Sequence, residues 1–212
     1  MYKVLVIGAN GNTGKRVVNQ LVDHKDYEPI AMLRNESQQP YFDQKDVEVR
    51  IGDLEKDLDH VFQGVDKVIF AAGSGGNTGD DKTEAVDRNG AIKAIDQSEK
   101  SAIKKFVMLS SMGTDMPDKI KGLEVYLKAK KAADDHLRAS NLNYSIIQPG
   151  GLTDEEGKNQ IKAADKIGAF GQISRDDVAQ ALVASLDTSV LENNSAEIIE
   201  GDRTINEALA EI

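Results

Sequence analysis

The chain has 212 residues, a formal net charge of -10 and no cysteine. A chain of this length buries most of its apolar surface without disulfides or structural metals, so we expect residues 1–212 to form one domain. The missing thiols exclude cysteine nucleophiles, cysteine-ligated zinc and iron-sulfur clusters, and the negative charge argues against nucleic acid and membrane surfaces as partners. Neither a signal peptide nor a membrane-spanning run is recognisable, which predicts a cytoplasmic protein.

The first predicted element is a buried strand that leads into a glycine-rich turn. The run from Val4 to Ile7 is wholly apolar, which is typical of a strand covered on both faces of a parallel sheet. Apolar residues then recur at helical spacing across residues 13–24. A glycine turn between a strand and a helix lets unpaired amides approach the phosphates of a nucleotide. The spacing predicts that this turn binds a dinucleotide through Gly8, Asn10, Gly11, Asn12, Thr13 and Gly14.

The turn has two other possible interpretations. An ordinary strand-to-helix turn in an α/β protein also contains glycines at these positions. A magnesium-binding phosphate loop is excluded, because Arg16 follows Gly14 and Lys15 where a serine or threonine would be needed.

Strands and helices alternate along the remaining chain. Apolar runs predict further strands at residues 28–33, 47–51, 65–72, 103–109, 144–148 and 196–200. Helical spacing predicts helices at residues 54–63, 80–100, 119–140 and 175–186, with a short one from residue 205. Residues 73–79 are too rich in glycine for either element, and residues 153–170 lack a period, which predicts a mobile flap. The alternation predicts a Rossmann fold: a doubly wound, mostly parallel α/β sheet with helices on both faces.

The residue after the second predicted strand bears on cofactor choice. Sites selective for NAD usually have a carboxylate here, whereas this chain has Arg34, whose guanidinium can bind a 2'-phosphate. We therefore favour NADP. Glu36 keeps NAD possible, and a solvated surface arginine is the alternative explanation.

Candidate catalytic residues lie near the end of the fifth predicted strand and on the following helix. Tyr126 and Lys130 are one helical turn apart and share a face. A phenol exchanges protons slowly near neutral pH, and a nearby ammonium favours its phenolate, so the pair suits general acid or base work. Ser110 and Ser111 end the strand, and either hydroxyl is suited to holding a substrate carbonyl beside the tyrosine. The alternative is that Tyr126 and Lys130 are ordinary surface residues.

These motifs resemble the short-chain dehydrogenase/reductase superfamily, in particular its small atypical NAD(P)H-binding members, which are similar to NAD-dependent epimerases and dehydratases. The resemblance covers almost the whole chain and is carried by GANGNTG at Gly8, GDL at Gly52, SSMG at Ser110, YLKAKKAADDHLRAS at Tyr126, QPGGL at Gln148 and ISRDDVA at Ile173.

The resemblance implies roles for the site residues. Tyr126 and Lys130 correspond to the catalytic YxxxK pair, with Lys130 also bonding the nicotinamide ribose, and the polarising hydroxyl falls on Ser111. Asp53 and the amide of Leu54 correspond to adenine contacts, although Asp53 also suits the N-cap of the predicted 54–63 helix. The remaining implied cofactor contacts are Ala71, Ala72 and Gly73 against the ribose and Pro149 and Gly150 beside the nicotinamide.

Together these features predict an NADP(H)-dependent oxidoreductase that acts on a small carbonyl-like or conjugated substrate. A non-catalytic NAD(P)H-binding redox sensor is one alternative. Activity similar to flavin and biliverdin reductases, which share this layout without relying on the tyrosine, is another. Extended epimerases carry a large C-terminal substrate domain, so the short stretch after Gly151 argues against a nucleotide-sugar pocket. The histidines show no metal-ligand spacing, and the sequence leaves open whether the protein is a monomer or a homodimer.

Overall fold

The computed structural model describes residues 1–75 and 79–212, so residues 76–78 of the predicted glycine-rich segment lie outside the described residues. The strands are β1 Tyr2–Ile7, β2 Tyr27–Leu33, β3 Glu48–Ile51, β4 Lys67–Phe70, β5 Lys105–Leu109, β6 Tyr144–Pro149, β7 Gly151–Thr153, β8 Gln160–Ala164, β9 Gln172–Ser174, β10 Asn194–Glu200 and β11 Arg203–Thr204.

The helices include one stretch of unusual geometry. The α-helices are α1 Asn12–Val22, α2 Pro40–Asp43, α3 Asp80–Lys82, α4 Ala91–Lys100, α5 Glu124–Ala139, α6 Arg175–Ala184 and α7 Ile205–Leu209. A π-helix, Thr83–Gly90, joins α3 to α4, and single 3-10 turns occupy Glu36–Gln38, Asp59–Phe62 and Pro117–Lys119.

Among the described residues, nine strands form one large sheet in the order β11-β8-β10-β6-β5-β4-β1-β2-β3, and β7 pairs with β9 in a separate two-stranded sheet. The run from β10 to β3 is parallel, while β8 and β11 add an antiparallel edge. Strand order reverses at β1, which pairs with β2 on one side and with β4 on the other. Ligands of such sheets bind at this reversal, beyond the carboxyl ends of the strands.

Both faces of the sheet are buried, as the predicted doubly wound fold requires. Successive side chains of a strand point to opposite faces, so Val4 and Val6 of β1 pack with the cluster that includes Leu21 of α1. Leu5 and Ile7 pack instead with the cluster that contains Ile95 of α4 and Leu137 of α5. The predicted fold class is confirmed, and the seven predicted strands correspond to β1–β6 and β10.

Several predicted elements differ from the observed ones. The predicted 54–63 helix is only the 3-10 turn Asp59–Phe62, and the predicted 119–140 helix begins at Glu124, because Gly122 before it has a φ of 83° that no right-handed helix includes. Within 80–100, the π-helix changes which residues face the core. The segment 153–170, predicted to be irregular, contains β8, which pairs with β10 along four residue pairs. Among the described residues, none of the helices combines the length and apolar character needed to cross a bilayer.

Candidate cofactor and substrate site

The glycine turn after β1 packs so tightly that neither Gly8 nor Gly14 accommodates a side chain. Gly8 has a φ of 85°, and a Cβ there would lie 2.6 Å from the Cα of Ala72 at the end of β4. A Cβ on Gly14 would lie 2.1 Å from the carbonyl oxygen of Gly8. Gly11 precedes α1 without a side-chain cap, and the first turn of α1 contains no acidic residue. Within residues 1–75 and 79–212, the first three amides of α1 have neither an intrahelical nor a side-chain acceptor, which suits them to an anion.

Two cavities meet at this turn. The smaller cavity, about 340 Å³, lies over the ends of β1 to β3, and the larger, about 790 Å³, lies between the turn and α5. Both are lined by Gly11, Ala72 and Gly73. A ligand that crosses the turn can therefore occupy both cavities at once, as a dinucleotide does at a strand-order reversal.

The predicted site residues divide between the two cavities. The smaller cavity is also lined by Gly8, Asn10, Arg34, Asp53 and Leu54. The larger cavity is also lined by Asn12, Thr13, Ala71, Ser110, Tyr126 and Lys130.

Four predicted residues are absent from the described lining of both cavities. Gly14 is buried beneath the turn. The Ser111 hydroxyl donates to the carbonyl of Met112 at 3.1 Å. The carbonyl of Pro149 accepts the Met112 amide, and the Gly150 amide donates to the carbonyl of Ile198 in β10, so both residues make backbone bonds to neighbouring segments.

The smaller cavity carries two cations. Arg34 is exposed beyond β2, and Lys82 at the end of α3 forms a 2.7 Å ion pair with Glu55. The hydrogen bond from Lys82 to Glu55 raises the pKa of Lys82, while the nearby Arg34 opposes that rise. Asp53 accepts the amide of Glu55 at 3.0 Å, so it caps a turn rather than the predicted helix. Two positive side chains beside one cavity suit a phosphate.

Lys130 is buried in the wall of the larger cavity. Its Nζ lies 3.2 Å from Oδ1 of Asp87 in the π-helix and donates to the carbonyls of Leu109 and Ala72 at 3.3 and 3.4 Å. Burial lowers the pKa of Lys130, but nearby Tyr126 and the carboxylates of Asp87 and Asp134 outweigh that effect and raise it. Lys130 is therefore held as a cation at the ends of β4 and β5.

Tyr126 lies beside this cation. Its ring centroid is 5.8 Å from Nζ of Lys130, and the ring is partly exposed at the cavity. The arrangement places a phenol between a fixed positive charge and the space beyond the glycine turn.

Apolar side chains and one arginine complete the wall. Leu123, Val125 and Leu152 line the larger cavity although each is more than a third exposed, at 47%, 41% and 37%. Arg175, the first residue of α6, reaches the same cavity and pairs with Asp154 at 3.0 Å. The cavity thus combines a mainly apolar side with a cation near the first turn of α1.

Sequence reasoning missed Asp87, Lys82 and Arg175 as site residues. Helical spacing predicts Val86 on the core-facing side of the 80–100 helix, but the π-helix leaves Val86 half-buried and turns Asp87 fully inward. Lys82 ends α3 and Arg175 begins α6. The sequence does not show that these helix ends reach the cavities, because that depends on how the helices pack on the sheet. Within 1–75 and 79–212, no cluster of histidine and carboxylate side chains has the arrangement of a metal site.

Comparisons by family model, by sequence and by structure all find similar proteins across most of the chain. A family model described as NAD(P)H-binding matches residues 8–189. The uncharacterized sugar epimerase YhfK of Bacillus subtilis (strain 168) is 41% identical over 99% of this chain and all of its own length. A solved structure from Bacillus halodurans, described as a candidate NAD-dependent epimerase/dehydratase, has a TM-score of 0.95 at 37% identity, with both chains fully covered.

Similarity also extends to reductases. The oxidoreductase ylbE of Lactococcus lactis has a TM-score of 0.87 at 30% identity and covers 99% of this chain and 96% of its own. Sanguinarine reductase of Eschscholzia californica is 27% identical over 97% of this chain and 91% of its length. The anaerobilin reductase ChuY of Escherichia coli O157:H7 shares the fold, with a TM-score of 0.79 at 21% identity over 95% of this chain and 98% of its own.

Proposed function

We propose that this chain, which belongs to the NAD(P)H-binding family, is an NADP(H)-dependent reductase of the atypical short-chain dehydrogenase/reductase type that acts on a small carbonyl-like or conjugated substrate. The observation that carries the proposal is the shared lining of the larger cavity, where Tyr126 and Lys130 face the opening of α1. Single-domain organisation over residues 1–212 is part of the same proposal.

The glycine cradle fits a dinucleotide. The lack of side chains at Gly8, Gly11 and Gly14 leaves room for a diphosphate against the first amides of α1. Adenosine would occupy the smaller cavity beside Asp53 and Leu54, and nicotinamide the larger one, where Pro149 and Gly150 shape the backbone behind it. When bound, the reduced cofactor supplies a hydride.

NADP is favoured over NAD because of charge at the smaller cavity. Arg34 and Lys82 both line it, and a guanidinium and an ammonium together attract a 2'-phosphate. Lys82 is already paired with Glu55, so Arg34 is the cation available for a bidentate contact. NAD remains the alternative cofactor.

Side chains of the protein then bind and protonate the substrate. Tyr126 donates the proton to the developing oxyanion, and the cation of Lys130 favours the phenolate that remains. Ser110 lines the cavity, so we assign it the polarising contact that the resemblance implies for Ser111. The exposed apolar wall at Leu123, Val125 and Leu152 fits an apolar, ring-bearing substrate.

That apolar wall also supports a second candidate, a flavin-reductase-like activity in which the substrate is itself a planar ring system. The named activities of sanguinarine reductase and ChuY agree with either candidate. A non-catalytic NADPH sensor is the third possibility.

Binding and turnover separate these candidates. Thermal unfolding of the full chain is followed with NADPH and with NADH, because a ligand that binds only the folded state raises the melting temperature. NADPH oxidation is then measured with phenanthrenequinone and with flavin mononucleotide as probes, for wild type, Tyr126→Phe and the control Tyr2→Phe at the exposed start of β1.

A carbonyl reductase should lose about 100-fold or more of quinone turnover in Tyr126→Phe while it keeps its NADPH-induced shift. Flavin reduction that survives the substitution would favour the second candidate. An NADPH-induced shift without reduction of either probe would favour the sensor. No shift with either nucleotide would contradict the proposal altogether.

A further inference from the structure

A buried carboxylate lies behind the larger cavity, on the far side of Ser110. Asp134 of α5 is wholly buried, and its Oδ2 accepts the Ser110 hydroxyl at 2.7 Å and the side-chain amide of Gln148 at 3.1 Å. The same amide donates to the Thr114 hydroxyl at 2.9 Å. Oδ1 of Asp134 has no hydrogen-bond partner within the described part of the chain. The proposed function leaves this residue without a role.

The charges around Asp134 leave it without an ion pair. Lys130 and Arg138 of its own helix act on it only through space, and Asp87 of the π-helix is paired with Lys130. Ser110 from β5 and Gln148 from β6 are the neutral groups that face it. Burial raises the pKa of Asp134 to about 6, against the smaller lowering effects of Ser110, Arg138, Gln148 and Lys130. Both protonation states are therefore accessible near neutral pH.

The unpaired Oδ1 determines which oxygen of Asp134 takes up the proton. A proton on Oδ1 would be a buried donor with no acceptor, which is costly, whereas a proton on Oδ2 can be donated to Oγ of Ser110. Oδ2 is therefore the favoured site of protonation.

A serine hydroxyl has a single hydrogen, so it cannot donate in two directions. With Asp134 ionised, that hydrogen is committed to Oδ2, and Ser110 offers only lone pairs to the cavity that it lines. With Oδ2 protonated, the carboxyl donates to Ser110, and the hydroxyl hydrogen is released toward the cavity.

We propose that Asp134 is a positioning residue that determines whether Ser110 presents a hydrogen-bond donor or an acceptor to the substrate. The inference rests on the proposed function, since it gives Ser110 the substrate contact. A carbonyl oxygen that gains negative charge needs donors, so reduction is faster when Asp134 is protonated. In that reduction the hydride of the reduced nicotinamide forms the C–H bond, the C=O π bond breaks, and Tyr126 supplies the O–H proton. Ser110 contributes a hydrogen bond and transfers no proton.

The first test is a pH profile of kcat/KM for NADPH-dependent reduction of phenanthrenequinone between pH 5 and pH 8. Wild type should gain about tenfold as the pH falls through the region near 6, the effect of one added donor. An asparagine at this position does not titrate in this range, so the direction of the Ser110 hydrogen no longer depends on pH. Asp134→Asn should therefore give a flat profile without the tenfold gain.

One control variant and a second measurement make the test decisive. Asp135→Asn, on the exposed side of α5, should retain the wild-type profile. Carbon-13 NMR titration of the Asp134 carboxyl in the full chain should show a further raised pKa in Ser110→Ala, because a hydrogen bond to the charged form is lost. If wild type reduces no probe, the proposed function fails, while the titration still tests the Ser110–Asp134 coupling. An unchanged profile in Asp134→Asn, or a titration indifferent to Ser110→Ala, would overturn the inference.

Discussion

Nζ of Lys130 lies 3.2 Å from Oδ1 of Asp87, and the two side chains are only 4% and 0% exposed. The ion pair joins α5 to the π-helix, so the cation beside Tyr126 is fixed by an element far from it in sequence. A buried charge without its partner is expensive, which makes this pair sensitive to the removal of either side chain.

Replacing Asp87 by alanine should lower the free energy of unfolding by about 3 to 5 kcal/mol, because the substitution leaves Lys130 buried without a carboxylate. The measurement is urea-induced unfolding at pH 7. Glu84→Ala is the matched control on the same π-helix, since it removes an exposed i,i+4 pair with Arg88 and should cost no more than about 1 kcal/mol. Equal losses in the two variants would show that the Asp87–Lys130 pair contributes no more than a surface pair.

Some residues of this site can be predicted from the sequence, and others cannot. The glycine turn, Tyr126 and Lys130 can be predicted from the sequence because their positions depend on short-range geometry. A strand followed by a tight turn identifies the glycines, and a spacing of one helical turn identifies the pair. Asp87 is not readable, because its burial depends on a π-helix that spacing rules for an α-helix do not include. We propose Ser110 rather than Ser111 because Ser110 lines the larger cavity, and spacing along the sequence does not distinguish two adjacent hydroxyls at the end of β5.

The same contrast holds for the fold. Strands with both faces buried are near-continuous apolar runs, which is why β1 and β4 are recognisable from residues 4–7 and 68–70. The antiparallel strand β8, which lies between β11 and β10, mixes exposed and buried residues over only five positions, and its identity comes from pairing with β10. Contacts between distant segments thus fix the features that local patterns miss.

Gly8→Ala tests the close approach of β1 and β4 beneath the cofactor site. A Cβ at Gly8 would lie 2.6 Å from the backbone of Ala72, in addition to the strain of an alanine at a φ of 85°. Gly64→Ala is the matched control, because Gly64 has a φ of 68° with no neighbouring atom within 4 Å of a Cβ. The control should lose about 1 to 2 kcal/mol of stability in thermal unfolding, and Gly8→Ala clearly more. Similar losses of stability in the two variants would mean that the close contact between Gly8 and Ala72 adds nothing to the backbone strain.

Arg34→Ala tests cofactor choice. Loss of a charge-assisted contact with a 2'-phosphate should weaken NADPH binding by about 10- to 100-fold and change NADH binding by less than about threefold. Calorimetric titration with both nucleotides gives the two affinities directly. Lys25→Ala controls for the change in net charge, because Lys25 is exposed just before β2, at the opposite end of that strand from Arg34. Equal weakening of NADPH and NADH would assign Arg34 to the surface and remove the preference for NADP.

Lys105 offers a test of electrostatics away from the site. Its Nζ is buried and donates to the Asn143 side chain at 2.8 Å and to the carbonyls of Tyr144 and Val190 at 3.3 Å. Among the described residues, no carboxylate lies within ion-pair distance of it, and burial lowers the pKa of Lys105 to about 8.

The sign of the pH dependence follows from proton binding. Between pH 8 and the usual lysine value of 10.5, the unfolded chain retains a proton that the folded chain has released. Stability from this residue therefore rises with pH across that window, and below about pH 8 the folded state carries the cost of a buried cation. Lys105→Met should remove the rise, which is on the order of 2 to 3 kcal/mol between pH 7 and pH 10. Urea unfolding of both proteins from pH 7 to pH 10 measures it. Lys104→Met, beside the exposed pair with Asp66, is the control, because Asp66 raises the pKa of Lys104 instead. A constant difference between wild type and Lys105→Met across this range would contradict a lowered pKa.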